Sequence, residues 1–359
     1  MYELPSYVGR SVAGRTINEV TVNAYKEILD QAVKIPSRNG DCSSLYDFSY
    51  RLLDPRQRHL CLNGRKSNVF QLIGETIWIQ AASDNVRGYL ETFLPRAPEY
   101  SDDGQTWRAG YGPRLVRYNQ LNDVIKFFEK DGKMTRRAVV SIHDPSRDTF
   151  TQLKEVYGQE DTKDLSCNMM LIFYVTPDDR FNCRVINRSN DCVFGMGINI
   201  TEFSVIQEMI YDQVRQIHPE LLLGTLTVSS NNFHCYDFTR GQLESVVANS
   251  ITDPDYKVLR EHCPKRLGVI DINTCREEMS EFIQNVVHIT HPDDISSDGL
   301  GYYRDGNQGD YVELMKYYFA TKNGAQGLVL DIRHYQEDLK EAIIQSPFRK
   351  FEVITGRPV

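Results

Sequence analysis

Several features that would settle a sequence's class at once are missing from this one. No run of about 18 consecutive apolar residues occurs, so no transmembrane helix is expected. The first residues, MYELPSYVGRSVAGRT, lack the apolar core of a signal peptide. The eight cysteines are Cys42, Cys61, Cys167, Cys183, Cys192, Cys235, Cys263 and Cys275. None forms a C-x-x-C pair and no Cys/His set has zinc-like spacing, so no metal site is expected. A reduced, cytoplasmic setting follows from the same reading. Positive charge is in deficit: the net charge of -8 argues against a broad grip on nucleic acid or an anionic membrane. A local cluster of arginines can still hold a small anion. Tryptophan is scarce, with only Trp78 and Trp107. What is present is ordinary globular material: 359 residues, 41% hydrophobic and 25% charged, enough for a sizeable core.

Periodicity organises the chain. Val22, Tyr25, Ile28, Leu29, Ala32 and Val33 fall on one helical face, and Pro36 closes that helix. A polar loop, PSRNGD, then leads into an alternating strand pattern. NVFQLIGETIWIQAA reads as a helix with Phe70, Ile73, Ile77 and Trp78 inward. YSDDGQTWRAGYGPRL reads as loop, and LNDVIKFFEKDGKMT as a second amphipathic helix. RRAVVSIHDP reads as a strand that begins with two arginines, and residues 146–163 as an exposed, charged insertion. NMMLIFYV and RFNCRVINRS are adjacent strands joined by the turn TPDD. NITEFSVIQEMIYDQVRQ is a strongly patterned helix, and LLGTLTVSSNNFHCYDF is strand-like. From about residue 240 onward, short helices and loops alternate without an interpretable motif. The sum is an α+β fold, a mostly antiparallel or mixed sheet with helices packed on it.

Chemistry concentrates at five places: SRNGD with Arg38, the pair Arg136–Arg137, LSCNM with Cys167, NRSNDCVFGMGINI, and NNFHCY with His234 and Tyr236. Each alone has a dull explanation. A cysteine beside a buried strand is usually packing, surface arginines are usually solvated, and Asn199 caps the helix that follows it. Together, in this order and approximate spacing, they resemble the thymidylate synthase family over residues 20 to 240. That family has a loop Arg, a helix Glu ahead of a Trp, and an Arg pair before a strand. It also has a Pro-Cys-His nucleophile, a Gln-Arg-Ser-x-Asp-x-x-x-Gly-x-x-x-Asn string and a His-x-Tyr. Here the counterparts are Arg38, ETIW with Glu75, YG at 111–112, RR at 136–137, SCN at 166–168, NRSNDCVFGMGIN at 187–199 and HCY at 234–236.

The resemblance implies a single thymidylate-synthase-like catalytic domain over 1–359, with an insertion near 146–163 and a divergent region at 241–359. It implies one-carbon transfer from 5,10-methylenetetrahydrofolate to C5 of a pyrimidine nucleoside monophosphate. Cys167 would add to C6 as a thiolate and needs positive neighbours to ionise. Arg38, Arg188 and Ser189 would hold the phosphate. Arg136 and Arg137 would come from the partner of a homodimer built on the sheet face; forked guanidinium donors suit phosphate oxygens. Asn199 would read the base, favouring uracil, although a flipped amide could accept from cytosine. Asn187 belongs with the base contacts, and His234 and Tyr236 with the sugar hydroxyl. Glu75 would relay protons and Tyr111 assist at C5. Asp191 and Trp78 would lie toward the folate.

Departures from the family matter as much. Asn168 stands where His is usual, Ser166 for Pro and Asn187 for Gln. The paired Trp segment after the Glu helix is replaced by FLPRAPEYSDDGQ, and the ending EVITGRPV is not the short closing tail. Without a Trp shield, water rather than hydride can reach the C5 methylene. The leading expectation is therefore a deoxyuridylate hydroxymethylase. The alternatives are a divergent thymidylate synthase, a CMP or dCMP 5-hydroxymethylase and, from another class, a non-catalytic nucleotide-binding homologue.

Overall fold

The computed structural model describes residues 4–253, 256, 264–269, 271–296 and 306–356; Cys263 and the last three residues of EVITGRPV lie outside them. In chain order the elements are β1 (Ser11–Gly14), α1 (Ile17–Gln31), β2 (Val33–Ile35), β3 (Cys42–Leu52), α2 (Val69–Gln80), α3 (Tyr89–Phe93), α4 (Tyr111–Val116) and α5 (Gln120–Asp131). Then come β4 (Val139–Ser141), α6 (Pro145–Asp148), α7 (Phe150–Glu155), β5 (Asn168–Val175), β6 (Arg180–Asn187), β7 (Asn190–Asp191), α8 (Gly195–Ile217) and β8 (Leu222–Tyr236). The chain closes with α9 (Arg240–Thr252), α10 (Ile272–Val286), α11 (Asn307–Lys322), β9 (Val329–Asp331), α12 (Glu337–Gln345) and β10 (Glu352–Ile354).

The main sheet runs β1-β3-β8-β6-β5-β4, with β2 beside β3 and β7 beside β8. It is mixed: β6 is parallel to β8, while β3–β8, β5–β6 and β4–β5 are antiparallel. The α+β expectation is borne out. Alternation along β5 sends Leu171, Phe173 and Val175 inward and leaves Met170, Ile172 and Tyr174 half-buried on the other face. The inward face is covered by α8, which is buried nearly all round because α1, α2 and α5 pack against it in turn. Outside α2 lies a further layer, α10 and α11.

Local sequence explains where several elements depart from their expected bounds. The first helix starts earlier, at Ile17, because the Thr16 side chain accepts from the Glu19 N–H. It stops at Gln31, and Val33 enters β2 instead. The segment around Tyr111 is not all loop but carries the short α4. Strand β4 begins only at Val139, so Arg136 and Arg137 precede it. Helix α8 begins at Gly195 rather than after Asn199, because Asp191 Oδ1 accepts from the Val193 and Phe194 N–H groups and turns the chain there. Asn199 is thus inside the helix, not its cap.

The charged insertion is only partly exposed. Asp164 accepts from the backbone N–H of Arg108 and Ala109, and the buried Arg114 guanidinium grips Asp148. The region beyond 240 is also more than loops. Gln80 on α2 and Gln308 on α11 exchange a reciprocal pair of amide bonds at 3.0 and 3.1 Å. His59 donates through Nδ1 to Asp338 at 2.9 Å, leaving Nε2 to accept the Tyr311 hydroxyl at 2.7 Å.

A buried ion cluster joins three segments. Glu208 of α8 accepts from Arg58, from Arg56 Nε at 2.6 Å and from the Leu267 N–H at 3.1 Å. Burial alone would raise its pKa, but the two arginines bring it below the usual carboxylate value. Replacing Glu208 with Ala strands a fully buried Arg58 charge and is expected to cost about 3–5 kcal/mol. A urea unfolding series checks this; an unchanged midpoint would refute the coupling.

Candidate active site

Strand ends gather at one edge of the sheet. Asn168 at the start of β5 faces Asn187 at the end of β6, and the end of β8 lies beside the start of β3 and against β7. The β5–β6 register slips between Asn168 and Met170, a one-residue bulge. Bulges re-aim side chains, and this one sits directly after Cys167. The Met169 carbonyl it displaces is taken by the N–H groups of Ile142 and His143.

Cys167 is half-buried at this bulge. Its carbonyl accepts from the Arg188 N–H at 2.9 Å. The Arg188 side chain folds back, donating from Nε to the Ser166 carbonyl at 2.9 Å and from Nη2 to that of Leu165 at 3.3 Å. A guanidinium is therefore fixed against the two peptides that precede the thiol. Arg38 reaches the same loop, with Nη1 donating to the Thr162 carbonyl at 3.4 Å. Ser189 follows Arg188 and is half-buried.

Behind Cys167 runs a chain of amides. Asn187 donates to Asn168 (3.4 Å), Asn168 to Asn199 (3.1 Å), Asn199 to Asn190 (3.2 Å) and Asn190 to the Tyr50 hydroxyl (2.7 Å). Gly195 is required beside it, since a Cβ there would stand 2.6 Å from Asn190 Oδ1. Asn187 Oδ1 remains buried without a partner among the described residues.

His234 packs edge-on against Tyr236 at 5.0 Å, and its Nδ1 bonds Asn232 at 3.0 Å. Its Nε2 lies 3.9 Å from Asp191 Oδ2, which is buried and has no hydrogen bond among the described residues. Burial lowers the His234 pKa and raises that of Asp191. Tyr236 accepts from Asn39 at 3.3 Å.

On α2, Glu75 is 8% exposed, lies near Glu202 of α8 and is bonded by Gln71 Nε2 at 2.7 Å. Burial lifts its pKa to about 7. The Tyr111 hydroxyl is pushed up by burial and then by the neighbouring Cys167 and Glu202.

Trp78, Arg136 and Arg137 lie away from the thiol within the protomer. Trp78 is 3% exposed, donates its indole N–H to the Asn85 carbonyl and packs edge-to-face on Trp107 at 5.7 Å. That burial places the Trp78 side chain in the core beside the Glu75 helix turn. Arg136 and Arg137 lie at the opposite end of β5: Ala138 bonds Phe173, roughly 20 Å along the strand from Cys167 at about 3.3 Å per residue. Arg137 there holds Asp131 and covers the Phe127 ring. Within one protomer the pair cannot reach the thiol.

The sequence profile of the family described as thymidylate synthase matches residues 22–276. The chain belongs to the thymidylate synthase family. A protein of Delftia phage PhiW-14 named deoxyuridylate hydroxymethyltransferase is 35% identical, covering 89% of this chain and 91% of its own. One of the same name from Pseudomonas phage M6 is 30% identical over 66% of each chain. A thymidylate synthase of Francisella philomiragia is 24% identical over 67% of this chain and 88% of its own.

Sequence reasoning missed Tyr50, Asn190 and Glu202. Asn190 and Glu202 stand in or just after the family string, but only the fold shows that β7 and the buried face of α8 turn them inward.

Glu75 generates a pH prediction. Its folded pKa lies above the ordinary value of 4.5, so the native state holds the proton more tightly than the unfolded chain. Stability from this group is full below pH 4.5, falls as pH rises and levels off past about 7. The melting temperature of Glu75→Gln relative to the unmodified protein is expected to climb through that window and then plateau. A difference that does not vary with pH would contradict the assignment.

Proposed function

We propose that the protein is a deoxyuridylate hydroxymethyltransferase. It takes a one-carbon unit from 5,10-methylenetetrahydrofolate to C5 of dUMP and completes the reaction with water. The observation that carries this reading is the placement of Cys167: at a bulged strand start, beside a clamped Arg188 and near Tyr111. The similarity to phage proteins of that name supports the same reaction.

C5 of uracil is a poor nucleophile. Addition of the Cys167 thiolate to C6 makes C5 enolate-like and able to attack the folate methylene. Arg188, with Arg38 and Ser189, binds phosphate. Asn187 and Asn199 read the base. The directed amide chain turns Asn199 Oδ1 toward the Asn168 donor and Nδ2 toward Asn190, fixing which end is donor and which acceptor. His234 and Tyr236 take the sugar hydroxyl. Glu75, with a pKa near neutrality, moves protons at the base, and Tyr111 assists removal of the C5 proton. Asp191 Oδ2, a buried acceptor without a donor, suits an N–H of the pterin.

The whole chain serves as one catalytic unit, with α10 and α11 backing the helix that carries Glu75. It works as a homodimer packed through the half-buried face of Met170, Ile172 and Tyr174. Arg136 and Arg137 of each protomer complete the phosphate site of the other, because neither reaches its own.

Three results test this. Product mass after incubation with dUMP and the folate is expected to match the hydroxymethyl nucleotide; a methyl product with dihydrofolate would indicate a synthase instead. Asn199→Asp is expected to shift preference toward a cytosine nucleotide, and an unchanged preference would remove Asn199 from base reading. Mixing inactive Cys167→Ser with an inactive Arg136→Ala/Arg137→Ala variant is expected to restore roughly a quarter of the activity through hybrid dimers with one intact shared site. No restoration would place both arginines outside the shared site.

A further inference from the structure

Three buried acceptors in the site lack a partner among the described residues: Asn187 Oδ1, Asp191 Oδ2 and Glu202 Oε2. Buried polar atoms without partners are rare in native proteins and call for an explanation. The first two belong to the base and folate contacts already proposed. Glu202 does not, and it is 3% exposed.

Its position is specific. Glu202 lies three residues after Asn199 on α8, so the two side chains share one helical face. Across from it on the packed α2 is Glu75, whose charge it senses. Tyr111 is a further neighbour and feels both Glu202 and Cys167. The carboxyl therefore lies near Glu75 and Tyr111, on the helical face that carries Asn199. Burial, and then Glu75, raises its pKa well above the ordinary carboxylate value. Two close carboxyls in such a site do not both ionise: Glu202 holds the proton more tightly and Glu75 is the one left as carboxylate.

We propose that Glu202 holds the water completing the hydroxymethyl transfer and relays its proton to Glu75, an inference that rests on the reaction proposed above. Before this step the base carries an exocyclic methylene at C5 and is bonded through C6 to Cys167 Sγ. The water oxygen bonds to the methylene carbon, and a water proton passes to Glu202 Oε2 as the proton Glu202 already holds moves to the Glu75 carboxylate. The methylene π electrons move into the ring as an enolate. The enolate re-forms the C5–C6 double bond as the C6–Sγ bond breaks and the thiolate leaves. The proton gained by Glu75 then returns to the thiolate or to solvent. One water is consumed, and nothing is oxidised or reduced.

The test separates early from late chemistry. Full-length Glu202→Gln is given dUMP deuterated at C5 and methylenetetrahydrofolate. Deuterium release is expected within about threefold of the unmodified protein, while hydroxymethyl product falls about 100-fold, the scale of a general base. An added small thiol is expected to intercept the methylene as a C5 thioether, and Glu202→Asp to recover part of the product. Parallel loss of release and product with no thioether, unchanged product, or unfolding of both variants would each overturn the proposal in favour of a structural carboxyl. If the unmodified protein makes no hydroxymethyl product, the functional reading itself fails; if it does and Glu202→Gln behaves like it, only this inference fails.

Discussion

The register of β5 against β6 is the constraint on which the site depends. Asn168 opposes Asn187, and one extra residue is accommodated immediately afterwards. Because side chains alternate along a strand, a slip by one position would exchange the faces of the whole strand. Leu171, Phe173 and Val175 would leave the core, so burial fixes the register and the bulge alone absorbs the local change. The thiol's aim is thus set by apolar packing farther along the same strand. Arg188, at the end of the opposing strand, is placed by the same pairing and closes back onto the peptides before Cys167.

Desolvation sets the chemistry that this scaffold hosts. Glu75 is held near a neutral pKa because α8 and α2 exclude water around it. A second carboxyl, Glu202, is buried on the facing helix. Carboxylates in such a place are unfavourable for stability, and the outer helices compensate. The Gln80–Gln308 pair and the His59 network hold α11 and α12 against the core behind the Glu75 helix. The C-terminal region therefore supports the helix that carries Glu75.

Much of this was legible in the sequence, for identifiable reasons. The periodicity of residues 69–80 and 203–217 marks α2 and α8, because their inward positions are large and apolar. The string around Arg188 and Asn199 is legible because several polar residues at fixed spacing are improbable without a shared ligand. The rest depends on contacts between distant segments. Trp78 looked like a ligand contact by its place after Glu75, but Asn85 and Trp107 close it into the core. Asn199 looked like a cap until Asp191 supplied the turn three residues ahead of Phe194. Glu202 carried no signal, since a glutamate in an amphipathic pattern ordinarily faces water. The charged insertion looked free because its partners, Arg108 and Arg114, come from a segment about forty residues earlier.

The central claim is that the covalent step occurs at Cys167 on this sheet edge. Incubation with 5-fluorodeoxyuridylate and methylenetetrahydrofolate tests it most directly, because fluorine at C5 cannot leave as the proton does and the adduct persists. Mass spectrometry of a protease digest is predicted to find nucleotide and folate on the peptide bearing Cys167, and on no other cysteine. An adduct on a different residue, or none while the nucleotide binds, would contradict the account.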